Sequence, residues 1–269
     1  MSSIEMHATT DVGIRRNHNE DCVSITPEFG FAVLADGMGG HNAGEVASAM
    51  AIEVTSRYLS SQLAKMPEAQ LDEDTGFTGE SILAREGITM ANNAIFEASQ
   101  QKPECAGMGT TIVAAVFYAD RITAAHVGDS RIYRLRSDVL SHVTEDHSLI
   151  QEQVRRGLLT ADDARNSAIK NLVTRALGVE ADVEPDIVED VVLAGDLYLM
   201  CSDGLTDVVP DEAIRLTLTQ NFKDLQKSAA QLIQLANDAG GPDNISVILV
   251  KTHKYFNRKQ GMFSKFFGR

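Results

Sequence analysis

Two kinds of apolar spacing alternate along the chain. Short runs rich in β-branched and aromatic residues recur at 22–25, 30–35, 110–118, 121–127, 131–136, 186–192, 196–201 and 244–251, and each predicts a strand. Ala119-Asp120 separates two long apolar runs, which reads as a hairpin and therefore as antiparallel pairing. Between the strands the period changes. Residues 43–63 place Val46, Met50, Val54 and Leu59 near one face, and 81–99 do the same with Ile82, Ile88, Ala91 and Ile95, the spacing of amphipathic helices. Two further helices are expected at 145–156 and 221–239. Strands that arrive in hairpins with helix pairs inserted between them predict an α+β layered domain rather than a regular βαβ series. No repeat and no Pro- or Ser-rich linker divides the first 250 residues, so 1–251 is expected to be one domain, followed by a tail at 252–269. The 67–79 stretch, with Asp72-Glu73-Asp74, is expected to be an exposed loop.

Composition narrows the class without naming a function. In 269 residues, 43% hydrophobic and 23% charged are the proportions of a soluble globular chain, not of a disordered or membrane one. The net charge is −14, but the six basic residues from Lys251 onward face no acid, so the first 250 residues carry −20. A field of that sign repels phosphate backbones, and nucleic-acid binding is not expected. Cys22, Cys105 and Cys201 form no CxxC pair, which predicts neither a disulfide framework nor a zinc ribbon. The start of the chain lacks a basic cluster followed by an apolar run, and the longest apolar run, 112–119, has only eight residues. Neither a secretory leader nor a membrane span is expected, and a cytoplasmic location is.

The chemistry lies in where the acids stand. Asn19-Glu20-Asp21, Ala35-Asp36-Gly37-Met38-Gly39-Gly40, Val127-Gly128-Asp129-Ser130-Arg131, Cys201-Ser202-Asp203-Gly204 and Gly240-Gly241-Pro242-Asp243-Asn244 each set an acid at an end of an expected strand, most of them beside a glycine. One such Asp-Gly is foremost a turn signal. Five attached to strong apolar strands point to a shared cleft for hard divalent cations, which take carboxylate and carbonyl oxygens. Competing motifs fail: a dinucleotide fingerprint from Gly37 would need glycine at Asn42, and a P-loop from Gly39 would need lysine at Glu45. The seven histidines show no zinc spacing.

The ordered set Arg16-x3-Glu20-Asp21, Asp36-Gly37-Met38-Gly39-Gly40, Gly109-Thr110-Thr111, Val127-Gly128-Asp129-Ser130-Arg131, Asp146-His147-Ser148, Ser202-Asp203-Gly204-Leu205 and Gly241-x-Asp243-Asn244 resembles the PP2C-type (PPM) metal-dependent protein serine/threonine phosphatases, in their bacterial branch. The likeness runs from about Asp11 to Lys251. It implies two antiparallel β-sheets in a central sandwich flanked by helix pairs, an α-β-β-α arrangement with the metals at one end. It also implies hydrolysis of phosphoserine and phosphothreonine by a water bridging two Mn²⁺ or Mg²⁺ ions, with a third, weaker ion beside them.

Carried over by position, the resemblance makes Asp36 the bridge between two ions. Asp203 and Asp243 complete the ligands of one, and Glu20 with the Gly37 carbonyl those of the other. Arg16 matches the residue that holds the substrate phosphate, Asp129 with Asp203 the third metal position, and Asp21 and Asn244 supports behind the ligands. Thr110 and Thr111 are expected to shape the core under the site. A flap is implied at about 146–178. Eukaryotic relatives carry histidine where Met38 stands here, so a proton donor is missing at that position; His41 is the nearby alternative.

Blander readings compete for single residues. Arg16 is a surface cation beside Arg15, Asp129 caps a turn and pairs with Arg131, His126 is a core histidine, and Asp146 caps the helix that follows it. The tail interleaves bases with aromatics, which suits weak docking on an anionic membrane or a partner. The expectation is a metal-dependent protein phosphatase that opposes a serine/threonine kinase. The alternatives are a metal-dependent hydrolase of small phosphate esters and a phosphoprotein-binding pseudophosphatase.

Overall fold

The computed structural model describes residues 3–39, 43–67, 69–160, 172–253 and 256. Eleven strands occur among them: β1 (Ile4–Asp11), β2 (Asp21–Thr26), β3 (Phe31–Met38), β4 (Gly109–Thr110), β5 (Ile112–Tyr118), β6 (Arg121–Val127), β7 (Arg131–Arg136), β8 (Val139–His142), β9 (Asp186–Val191), β10 (Leu197–Cys201) and β11 (Ile245–Thr252). The helices are α1 (Ala43–Leu63), α2 (Gly79–Gln101), α3 (Leu149–Arg155), α4 (Asp203–Thr206), α5 (Asp211–Gln220) and α6 (Leu225–Asp238).

The strands form two antiparallel sheets, β1-β11-β10-β7-β8 and β2-β3-β5-β6-β9, with β4 beside β3. Their long apolar runs follow from burial on both faces. Phe31, Val33 and Ala35 of β3 pack toward α1 and α2. The intervening Ala32 and Leu34 face the other sheet, where they meet Tyr198, Met200, Ile248 and Val250. Leu197, Leu199 and Leu249 turn outward onto α5 and α6, against Ile214, Leu218 and Leu232. The period-2 alternation of a strand therefore divides one run between two cores, and the layers stack as helices, sheet, sheet, helices. Phe117 and Tyr198 join the two sheets edge to face, with ring centroids 5.2 Å apart.

The α+β sandwich with helix pairs is as expected, and α1 keeps the expected bounds. Some elements differ. The expected helix over 145–156 starts at Leu149, because the backbone of 146–148 is committed elsewhere: the His147 amide donates to the Gly128 carbonyl. Its cap is Ser148, which accepts from the Gln151 amide at 3.3 Å; Asp146, the expected cap, binds Arg131 instead. The helix over 221–239 starts at Leu225, capped by Asp224, which accepts from the Lys227 amide. Strands β1 and β8 and helix α5 lack a strong apolar signature. β1 mixes Glu5, His7, Thr9 and Thr10 into an edge position, β8 is four residues at the other edge, and α5 is ten residues with Thr217 and Thr219.

His41, residues 161–171 of the flap, and the tail apart from His253 and Phe256 lie outside the described residues; β11 runs on through Thr252. Phe256 returns to the body, where its amide donates to the Ala119 carbonyl and its ring lies over Gly30.

Truncating Phe117 to Ala should cost about 3–5 kcal/mol through the cavity left between the sheets, whereas Val139→Ala, at an edge position 63% exposed, should stay within about 0.5 kcal/mol. Urea unfolding of both variants checks the pair.

Candidate active site

Strand register brings the acids together. Asp21 and Asp36 are direct partners across β2 and β3, while β10 and β11 pair side by side in the other sheet and end at Cys201 and Ile245, next to Asp203 and Asp243. Both sheets deliver these ends to one edge of the sandwich. Hydrogen bonds sew the sheets together there. Asn244 Oδ1 accepts the Glu20 amide at 2.8 Å, and its Nδ2 donates to the Val12 and His18 carbonyls. Ser202 Oγ donates to Asp21 Oδ2 at 2.8 Å and accepts the Ser246 amide at 3.0 Å. One asparagine thus satisfies three backbone groups of the loop between β1 and β2.

Asp36 is held by its backbone. Its amide donates to Thr111 Oγ1 at 3.1 Å, and its carbonyl accepts from Thr110 Oγ1 and the Thr111 amide, both at 2.8 Å. The two threonines lie under the site as expected. The Gly37 amide donates to the Glu20 carbonyl at 3.1 Å. A side chain at Gly37 would drive a Cβ to 2.1 Å from the Gly44 carbonyl oxygen, and one at Gly44 would meet Glu20 Oε1 at 2.7 Å. The two glycines let β2, β3 and the first turn of α1 close around the Glu20 carboxylate.

Burial and mutual repulsion set the electrostatics. Burial, then Asp21, Asp203, Asp129 and Asp243 together hold the Asp36 carboxyl well above the usual carboxylate range. Burial, then Asp129, Asp207, Asp243 and Asp21 do the same to Asp203. Burial pushes Asp21 and Asp129 up to about 6. Arg16 offsets part of this: its Nη2 donates to Asp243 Oδ2 at 2.6 Å, and Glu20 and Asp36 also act on it. Arg16, with its side chain nearly half exposed, therefore lies against the acid cluster at Asp243. Asp129 does not pair with Arg131 as a bland turn would have it. Arg131 is instead bidentate with Asp146, at 2.9 and 2.6 Å.

The donor set suits hard divalent ions. It consists of carboxylate and carbonyl oxygens with no thiolate, and Glu20 Oε1 and Asp21 Oδ1 are buried without a hydrogen-bond partner. Such atoms are costly to leave bare, and a cation of two positive charges relieves both the desolvation and the repulsion. Beside the acids a cleft of about 550 Å³ runs from Asp129 and Asp203 past Asp207 to Ile150 and Val154 of α3. Asp207 was not singled out from the sequence. The available signal was its place four residues after Asp203, one helical turn on.

The family model for protein phosphatase 2C matches residues 15–240. The chain belongs to the protein phosphatase 2C family. It is 38% identical to the serine/threonine phosphatase stp of Listeria innocua over 251 residues, 91% of this chain and 96% of that relative. It is 38% identical to the serine/threonine protein phosphatase PstP of Mycobacterium tuberculosis over 250 residues, 92% of this chain and 45% of that longer protein. The crystal structure of the M. tuberculosis phosphatase superposes with a TM-score of 0.82 at 35% identity, covering 93% of this chain and 99% of that one. A PstP catalytic domain in complex with two manganese ions superposes with a TM-score of 0.79, covering 94% and 99%. The sandwich of this PP2C chain is thus the family's own.

A carboxyl whose pKa is higher in the folded than in the unfolded chain supports the fold at low pH and loses that contribution as the pH rises through the raised value. In chelator, Asp36→Asn should therefore raise the melting temperature at pH 7 by roughly 2–4 °C, the response of a domain this size to about 1 kcal/mol. At pH 4, where Asp36 is already protonated, the change should be close to zero. Calorimetric scans at the two pH values check the sign.

Proposed function

We propose that Asp36, Asp203, Asp243, Glu20 and the Gly37 carbonyl hold two Mn²⁺ or Mg²⁺ ions, with Asp129 and Asp203 at a weaker third position, and that Arg16 grips the substrate phosphate. The chain is a metal-dependent protein serine/threonine phosphatase. The observation that carries the assignment is the convergence of these oxygens, Glu20 Oε1 among them buried without a hydrogen-bond partner, on one edge of the sandwich.

When bound, the divalent ions would supply Lewis acidity, making a water nucleophilic near neutral pH and screening the phosphate's negative charge from that nucleophile. The chain's residues do the rest. Arg16 is a half-exposed planar guanidinium beside Asp243, able to take two phosphate oxygens. The threonine pair and Asn244 keep Asp36 and Glu20 in place, so that no reorganisation is needed during the in-line displacement. No serine or cysteine nucleophile is required. Met38 carries no proton to give, so the serine or threonine alkoxide leaves without a side-chain acid from that position. A binding-only pseudophosphatase would be expected to lack ligand acids, and here all four are present together.

The wider reading is a cytoplasmic enzyme acting on phosphoserine and phosphothreonine proteins and opposing a serine/threonine kinase. Residues up to the end of β11 at Thr252 carry the activity. In support, the three cysteines are free thiols, and no helix among the described residues is long and apolar enough to cross a membrane.

Asp36→Asn and Asp203→Asn should each abolish Mn²⁺-dependent release of phosphate from a phosphothreonine peptide while circular dichroism stays unchanged. Arg16→Ala, losing charged hydrogen bonds of about 1.5–3 kcal/mol, should lower kcat/KM by roughly 10- to 100-fold. Unaltered turnover in either aspartate variant would refute the shared centre. Faster turnover of nucleotides than of phosphopeptides would move the activity to small phosphate esters.

A further inference from the structure

Behind Asp129, on the side away from the cleft, lies a polar cluster that the reaction does not use: His126, His147, Arg175 and Asp186. The ligand atoms of the two histidines and Asp186 all lie within 4.8 Å of one another, so a second metal site is the first reading to weigh. The hydrogen bonds argue against it. The Gly128 amide donates to His147 Nδ1 at 3.1 Å, which requires a lone pair on Nδ1 and leaves the ring proton on Nε2. That proton points to Asp186 Oδ2, 3.3 Å away. Arg175 Nη1 also lies 3.2 Å from His147 Nε2, but its two hydrogens go to the shorter contacts, Asp186 Oδ1 at 2.6 Å and the Glu184 carbonyl at 2.9 Å. A cation on Nε2 would move the proton to Nδ1, against the Gly128 amide, and would have to displace a guanidinium.

The same bonds point to another role. The His147 amide donates to the Gly128 carbonyl at 2.9 Å, so one histidine grips both polar groups of Gly128. That residue immediately precedes Asp129. Its φ is +108°, and any Cβ there would lie 2.6 Å from the Thr111 Cβ, so the turn is a conformation that other residues avoid and that needs fixing. Burial, the stacked His126 ring 4.6 Å away and Arg175 lower the proton affinity of His147 to a pKa of about 4, which keeps the ring neutral and Nδ1 free to accept. The clamp is also joined to the other acids. The Thr174 amide donates to the His147 carbonyl, and Leu177 exchanges two backbone bonds with Thr110, whose hydroxyl holds the Asp36 carbonyl.

We propose that His147 is a positioning residue for Asp129: kept in its Nε2-protonated form by Asp186, it clamps Gly128 and aims the Asp129 carboxylate at the cation cleft. This rests on the reading of Asp129 as a ligand of the third, weaker ion. Partners that orient a ligand in this way change metal affinity by about 10- to 100-fold when removed.

Calorimetric titration of the full chain with Mn²⁺ tests it. The expected result is a tight class of sites and a weak class in the wild type, with the weak class lost in Asp129→Asn. His147→Ala should weaken the weak class by about tenfold and leave the tight class unchanged. His147→Asn should restore most of the loss, because its Oδ1 can accept the Gly128 amide in place of Nδ1. Asp186→Ala removes an exposed carboxylate, so it decides the matter if His147→Ala does not fold. It should weaken the same class, and a long-range ¹H–¹⁵N spectrum should show His147 losing its Nε2-protonated form. A weak class that vanishes in Asp129→Asn but stays within twofold of wild type in His147→Ala or Asp186→Ala would overturn the clamp alone. A wild type with no weak class, or one that Asp129→Asn leaves intact, would overturn Asp129 as a ligand and the clamp with it.

Discussion

Six carboxylates (Glu20, Asp21, Asp36, Asp129, Asp203 and Asp243) brought to one edge of a β-sandwich repel one another, and the surrounding structure is organised to bear that repulsion. Asp36 and Asp203 are held far above the ordinary carboxylate range. Nothing about isolated aspartates would keep them there. The apolar cores on both faces of each sheet supply the stabilisation that makes such a concentration of like charge tolerable, and the ladders of β3, β10 and β11 leave the acids no route apart. Divalent ions then become the natural complement, because they reverse the local sign while the body stays strongly acidic.

The restraint comes from backbone bonds more than from side-chain pairing. Asp36 is fixed through its amide and carbonyl by Thr110 and Thr111. Glu20 is fixed through its amide by Asn244, and Asp129 through the clamped Gly128 before it. Each carboxylate is thereby left free to face the cleft, with its position set by atoms that cost it no ligand capacity. The exceptions are informative. Asp21 gives one oxygen to Ser202, consistent with support rather than ligation, and Asp243 gives Oδ2 to Arg16 and Oδ1 to the Asn244 amide.

Much of the fold was legible because long apolar runs of strands covered on both faces are hard to mistake; α1 keeps its expected bounds, but its buried face runs through Ala47, Ala51, Thr55 and Leu59, while Val46, expected on it, is 41% exposed. β1 and α5 were not legible, for physical reasons. An edge strand has half its environment in water, so its pattern is diluted by His7, Thr9 and Thr10. A ten-residue helix anchored by Ile214, Thr217 and Leu218 offers too few turns for its period to stand out. The start of α3 was misplaced because local propensity favoured an aspartate cap at Asp146, while a bidentate contact with Arg131 from another strand claimed that side chain.

By itself the sequence determined where the acids stand: at strand ends beside glycines, in an order that few folds would need. That is local information, since an Asp-Gly at the end of an apolar run is written in adjacent residues. Only the tertiary structure decided how those acids are used. Asn244 reaches Glu20 across 224 positions, Arg16 reaches Asp243 across 227, and His147 grips Gly128 from a loop 19 residues on. Such pairings arise from strand register and sheet stacking, which bring distant backbone groups into reach after the cores have formed. No spacing along the chain encodes them.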